Sequence, residues 1–250
     1  MIEVQGLRKN FNGVEVLHGI DFTARDGEIT GLIGPNGAGK TTTLRMLYTV
    51  LRPDHGRALV DGHDASLDRL QVQRRIGVLP DNRGLYPRLT AREHVRYFGR
   101  LHGLAGAELE ARIDRLVERL GMADFADRRA KGYSKGQTLK VALARALVHE
   151  PANVVLDEPT NGLDIASSRA VRDLIREIRD QGRCVLFSSH IMGEVEALCD
   201  RIIVISDGLI VADGDPDELR RATGQGNLEE VFLEAVSQGV TAAGVGGDSA

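Results

Sequence analysis

Eight residues constrain this chain more than any others. Gly34-Pro35-Asn36-Gly37-Ala38-Gly39-Lys40-Thr41 stands between the apolar run Ile29 to Ile33 and a helical pattern from about Lys40 to Leu51. The glycines let successive backbone N–H groups converge on one point without Cβ clashes, and a helix that begins there adds the positive end of its dipole. Strand, tight loop and helix in that order make a phosphate cradle. In such a cradle Lys40 reaches the β- and γ-phosphates, the Thr41 hydroxyl ligates Mg²⁺ and Thr42 supports the α-phosphate side. A glycine-rich turn that binds nothing is the plain alternative, and the strand–loop–helix context argues against it.

A cradle alone does not make a hydrolase, which also needs a metal carboxylate and a group that acts on water. Asn153-Val154-Val155-Leu156 is a buried-strand run ending in Asp157 and Glu158. The first acid would hold Mg²⁺ through water and the second would polarise the attacking water. Two adjacent acids at a strand end can also be a solvated turn. His190 follows another apolar run, Cys184 to Ser189, on the sheet edge where such groups gather. It would contact the γ-phosphate or hold Glu158 and the water in line. The bland reading, a capping histidine, stays open because Ser188-Ser189 reads as a helix start.

Short β-like runs alternate with helical patterns over most of the 250 residues, which predicts an α/β fold with a largely parallel sheet. Strands are expected at Ile2 to Leu7, Val14 to Ala24, Asn153 to Leu156, Cys184 to Ser188 and Ile202 to Ile205. Asp61-Gly62 and Asp207-Gly208 read as two-residue hairpin turns, so some pairing is antiparallel. From Thr90 to about His149 helical patterns take over. They comprise a capping box at Thr90-Ala91-Arg92-Glu93, a helix from Ala107 to Leu120, and another from near Ser134 to His149, before Pro151. The expected organisation is one domain over residues 1–236, with an α/β core at about 1–89 and 150–213 and an inserted helical subdomain at about 90–149. A helix from Ala166 to Arg179 belongs to the core, and short helices at Asp215 to Ala222 and Leu228 to Val236 fall within 214–236. The Gly- and Ala-rich residues 237–250 form a flexible tail.

Composition narrows the function. A formal net charge of −4 lacks the basic excess of a nucleic-acid binder. The N-terminus has no apolar core with a cleavage site, and no apolar run approaches the roughly 20 residues of a spanning helix. Cys184 and Cys199 have no paired spacing and fit reduced thiols, so the expected compartment is the cytoplasm.

With Tyr133-Ser134-Lys135-Gly136-Gln137 and Asn161-Gly162-Leu163-Asp164 added, the motifs and their order resemble the ATP-binding subunits of ABC transporters from Ile2 to about Val236. The family pattern at the pentapeptide is Leu-Ser-Gly-Gly-Gln, so Tyr133 and Lys135 depart from it while Ser134, Gly136 and Gln137 agree. The resemblance implies a P-loop ATPase core of ABC type with an antiparallel β part. It also implies that Ser134, Gly136 and Gln137 touch the γ-phosphate of ATP held by the cradle of a second copy. Two chains would then sandwich two ATP, each with Mg²⁺. Taken alone, the pentapeptide is equally a plain helix cap. Phe11 stands where the family stacks an aromatic ring on adenine, and a core strand residue is its plain alternative. Asp81 stands where the family usually has Gln against Mg²⁺; as a carboxylate it can ligate a cation but cannot donate a hydrogen bond.

The stretch Gly84 to Glu93 looks like the branch of NatA-type sodium-efflux ATPases. That implies a motor on the inner face of the cell membrane, driving export through a separate integral membrane permease subunit. A soluble ABC-type ATPase acting on ribosomes or DNA is the alternative. A small-molecule kinase on the same cradle would have no use for Ser134 and Gly136.

Overall fold

Asn12 and Gly13 both adopt positive φ, 52° and 87°, the backbone that closes a two-residue hairpin between β1 (Ile2–Phe11) and β2 (Val14–Ala24). β1 therefore runs four residues beyond the expected end at Leu7. The computed structural model describes residues 1–224 and 226–238. β3 (Ile29–Ile33) leads through the glycine-rich loop into α1 (Lys40–Leu47). This helix stops short of Leu51 because Thr49 turns to φ 68° and the Val50 and Leu51 N–H groups both bond the Arg45 carbonyl. β4 (His55–Val60) and β5 (His63–Asp64) meet at the expected Asp61-Gly62 turn, with φ of 48° and 77°. Next come α2 (Arg69–Arg75), whose sequence buries only Val72 and gave no readable apolar stripe, and β6 (Ile76–Leu79).

The helical block consists of α3 (Ala91–Leu101), α4 (Gly106–Arg119) and α5 (Lys135–Leu147). Thr90 and Glu93 form the capping box at the start of α3. The core then resumes with β7 (Asn153–Asp157), α6 (Ile165–Asp180), β8 (Cys184–Ser189), α7 (Met192–Leu198) and β9 (Arg201–Ser206). The Asp207-Gly208 turn, with φ of 47° and 74°, leads into β10 (Leu209–Gly214), followed by α8 (Pro216–Thr223) and α9 (Leu228–Gln238). The expected tail overlaps the end of α9, and its residues from 239 on lie outside the described residues.

Two sheets result, an antiparallel one in the order β2-β1-β4-β5 and a larger one in the order β10-β9-β3-β8-β7-β6, parallel except for β10. Alternate residues of each central strand face different cores. Val154, Leu156, Val185, Phe187, Ile202 and Val204 join the helical block, whereas Val155, Cys184, Leu186, Ile203 and Ile205 join α1 and the antiparallel sheet. Burial on both faces is why these strands read as continuous apolar runs. The order β3-β8-β7 is decisive for function, because Leu32, Ser188 and Asp157 share a register row at one edge. The glycine loop, His190 and the two acids leave the sheet there together.

Among the described residues no helix is long and apolar enough to cross a membrane. Both cysteines are free and buried, and burial pushes the Cys184 thiol up to about 12.

Histidines in the helical block make stability pH-dependent. His149 Nε2 lies 3.1 Å from the Ile76 carbonyl and stacks on His102 with centroids 3.6 Å apart, while its Nδ1 is buried without a partner. Burial, then the neighbouring His102, pulls it down to about 4, and burial also lowers His94 and His102. These rings are neutral in the fold and protonate more readily in the unfolded chain. The His149 contribution is therefore complete above the ordinary value of about 6.5 and is lost as the pH falls toward 4. Urea unfolding at pH 7.5 and pH 5 should show His149→Gln removing a pH-dependent loss on the order of 2 kcal/mol. An unchanged pH slope would assign the loss elsewhere.

Candidate active site

Gly34 begins the loop where only a hydrogen fits, since a Cβ there would lie 2.1 Å from the Ile205 carbonyl oxygen. Gly39 has φ 110° and a Cβ on it would lie 2.5 Å from the Leu17 side chain, and Gly37 has φ 85°. Pro35, Asn36 and Gly37 are exposed, while Ala38, Gly39 and Lys40 are buried at the start of α1. The first turn of α1 has no acidic residue to compete for its positive end. Lys40 Nζ donates to the Gly34 and Pro35 carbonyls at 2.6 and 3.0 Å, folding back on the loop whose phosphate it would meet. Burial lowers its pKa, and the nearby charges of Glu158 and Asp157 oppose that shift. Thr41 and Thr42 follow in the first turn of α1, both half-buried.

Asp157 is buried, and its Oδ1 accepts from Ser188 Oγ at 2.6 Å and lies 3.4 Å from Thr41 Oγ1. Its Oδ2 is buried with no hydrogen-bond partner. A buried carboxylate oxygen without a donor, beside a threonine hydroxyl, suits a hard divalent cation that takes oxygen ligands. Among the described residues no cluster of three or more His, Cys, Asp or Glu could hold a metal ion. Asp81 is exposed on the wall of a cavity of about 690 Å³ that also reaches Asp157, Arg45 and Tyr48. Burial, then the Asp157 charge, raises the Tyr48 phenol.

Glu158 has φ 48° and a largely covered side chain, with Oε2 2.9 Å from His190 Nδ1. His190 does not act as a cap. The N-cap of α7 is Ile191, without a side-chain cap, and the Ile191 N–H bonds Ser189 Oγ. The expected helix start at Ser188-Ser189 is corrected here, because both serines are the last residues of β8.

Phe11 lies at the exposed end of β1, 40% exposed, with Lys9 Nζ 5.4 Å from its ring centre. The core-residue alternative does not hold. The second half of the motif set lies apart. Ser134 caps α5 by accepting from the Gln137 N–H at 3.2 Å, and Gln137 Oε1 accepts from the Ser134 N–H at 3.0 Å. Ser134, Lys135, Gly136 and Gln137 line a cleft of about 280 Å³ with Asp164 and Ser167, and no residue of the glycine loop lines it. Tyr133, the departure from leucine, packs its ring on Phe125 at 5.2 Å with its hydroxyl 2.7 Å from the Arg128 carbonyl.

Two participants escaped the sequence. Ser188 accepts from the Glu158 N–H at 3.0 Å while donating to Asp157, and its only signal was a polar residue ending an apolar run. Arg83 donates to the Glu158 carbonyl, and nothing in its local sequence marks it.

A strand–loop–helix cradle beside buried acids at the edge of a mostly parallel sheet defines the P-loop nucleotide-binding proteins. A family model described as ABC transporter matches residues 17–161. The ABC transporter ATP-binding protein NatA of Bacillus subtilis (strain 168) is 44% identical over 229 residues, 91% of this chain and 93% of that protein. A solved structure of the ATP-binding subunit of an ABC transporter gives a TM-score of 0.88 at 30% identity, covering 94% of this chain and 99% of that one. A dimeric ATP-binding cassette in a post-hydrolysis state, bound to ADP and Pi, gives 0.77 at 26% identity over 86% of this chain and 98% of that one. The chain belongs to the ABC transporter family, as an ATP-binding subunit with ATPase activity.

Proposed function

We propose that two copies of this chain close head to tail around two ATP molecules, and that the cycle of closure and hydrolysis drives export through a separate membrane subunit. The observation that carries this reading is the separation within one chain of the Ser134 and Gly136 cleft from the glycine loop. Each chain then holds half of two sites, and the relative that is dimeric and bound to ADP and Pi supports the pairing of two copies.

In the closed site the loop from Gly34 to Gly39 cradles the phosphates with its N–H groups, and Lys40 exchanges the Gly34 and Pro35 carbonyls for phosphate oxygens. Thr42 lies on the α-phosphate side and Phe11 offers its exposed ring to adenine. Thr41 and Asp157, with Asp81 nearby, would hold Mg²⁺, which neutralises phosphate charge when bound. Glu158 orients and polarises the attacking water, while His190 holds the Glu158 carboxylate and faces the γ-phosphate. Ser134, Gly136 and Gln137 of the second copy complete the site at the positive end of α5. Loss of the γ-phosphate removes the bridge between copies, so hydrolysis opens the dimer.

The cavity beside Asp81, with exposed Val50, Leu70 and Leu101 at its rim, is the docking surface for the membrane subunit. The protein then works in the cytoplasm against the inner face of the membrane, and sodium is the cargo that the NatA resemblance implies. ATPase activity per chain should fall on dilution and recover on concentration; a rate per chain indifferent to dilution, from a strict monomer, sinks the sandwich. Capture from solubilised membranes should recover an integral membrane protein, whereas ribosomes or DNA would favour the soluble alternative. Vesicles holding the captured pair should extrude radioactive sodium when given ATP, and failure to do so sinks the cargo assignment alone.

A further inference from the structure

Glu158 occupies a backbone conformation that glutamate rarely adopts, with φ 48°, and it precedes Pro159. A residue before proline is normally driven to extended backbone, and a left-handed non-glycine residue costs on the order of 1–3 kcal/mol unless its surroundings hold it. Its surroundings hold it at three points, besides the turn bond of 3.3 Å from the Asn161 N–H to its carbonyl. The N–H donates to Ser188 Oγ at 3.0 Å, the carboxylate meets His190 Nδ1 at 2.9 Å, and the carbonyl accepts from the Arg83 guanidinium. The first two contacts come from β8 and the residue just after it. The third comes from the segment after β6, two residues beyond Asp81.

Arg83 is half-buried, and its Nε is buried with no hydrogen-bond partner. Arginine keeps its charge in such a setting. A half-buried cation is costly to hold there, and its bond to the Glu158 carbonyl is part of what offsets that cost. Without that bond the Glu158 carbonyl keeps only the longer bond, 3.3 Å, from the Asn161 N–H of its own turn. The carboxylate, still held by His190, is then placed less firmly, and small misplacements of a group that positions water are expensive in rate.

We propose that Arg83 is a positioning residue for ATP hydrolysis, its guanidinium fixing the Glu158 peptide so that the carboxylate stays aimed at the attacking water. This rests on the reading of Glu158 as the group that orients the water. Five proteins test it: the parent, Arg83→Ala, Arg83→Lys, Glu158→Gln and the double Arg83→Ala/Glu158→Gln variant, each assayed for ATP affinity and for steady-state and single-turnover hydrolysis with Mg²⁺. Arg83→Ala should lower kcat about tenfold with KM and ATP affinity within about twofold, and Arg83→Lys, which can still donate one bond, should recover most of the loss. Because Arg83 acts through Glu158, its removal from Glu158→Gln should change the residual single-turnover rate by less than about twofold. An equal loss of rate in both backgrounds, a raised KM at constant kcat, or no rescue by lysine overturns the proposal. Parental turnover by Arg83→Ala while Glu158→Gln is slow sinks Arg83 alone, and parental turnover by Glu158→Gln itself sinks the underlying reading.

Discussion

Glu158→Gln is expected to lower ATP turnover roughly 10²–10⁴-fold while leaving nucleotide binding intact, the range spanned by removal of a general base. The substitution preserves size, and the glutamine oxygen can still accept from His190 Nδ1, so the contact that now measures 2.9 Å should persist. What disappears is the negative charge proposed to polarise water, each tenfold of rate corresponding to about 1.4 kcal/mol. Since the γ-phosphate then survives, the closed dimer should accumulate. Gel filtration with ATP and Mg²⁺ should show a doubled mass that the parent protein holds only transiently. Parental turnover by this variant would remove Glu158 from the reaction, and slow turnover without a dimer would separate hydrolysis from closure.

The residues that announced themselves in the sequence are those whose chemistry is local. Gly34, Gly37 and Gly39 are required by a loop that turns within a few residues, and their φ values and close contacts with Ile205 and Leu17 are consequences of that one turn. Thr90 and Glu93 cap a helix from positions three apart, and Asp61-Gly62 and Asp207-Gly208 close hairpins by themselves. The mixed α/β class and the helical block followed from periodicity that needs no knowledge of neighbours.

What stayed hidden depends on partners far along the chain. Arg83 reaches Glu158 across 75 positions, and Ser188 reaches it across 30. α2 was missed because it buries only Val72, so an apolar stripe never formed. The ends of α1 and α5 were overrun because the residues beyond them, Thr49 and Glu150, leave the helix through positive φ without a glycine to mark it. The division of the motifs between two clefts is a statement about three dimensions, and only the family resemblance hinted at it before the fold was known.

Lys40→Ala should weaken ATP binding by about two orders of magnitude, roughly 2.7 kcal/mol, as expected when an ammonium that makes charge-assisted bonds to phosphate is lost. In the nucleotide-free protein the same side chain bonds only two carbonyls of its own loop, from a position where burial already disfavours its charge. Removing it should therefore change the melting temperature of the free protein little, since the lost bonds and the relieved desolvation oppose one another. ATP is the condition that separates the two roles. The parent should be stabilised in proportion to ligand occupancy, whereas Lys40→Ala should show almost no shift at the same ATP concentration. A large loss of stability without nucleotide would make Lys40 a structural pin of the loop, and parental ATP affinity would remove it from the phosphate site.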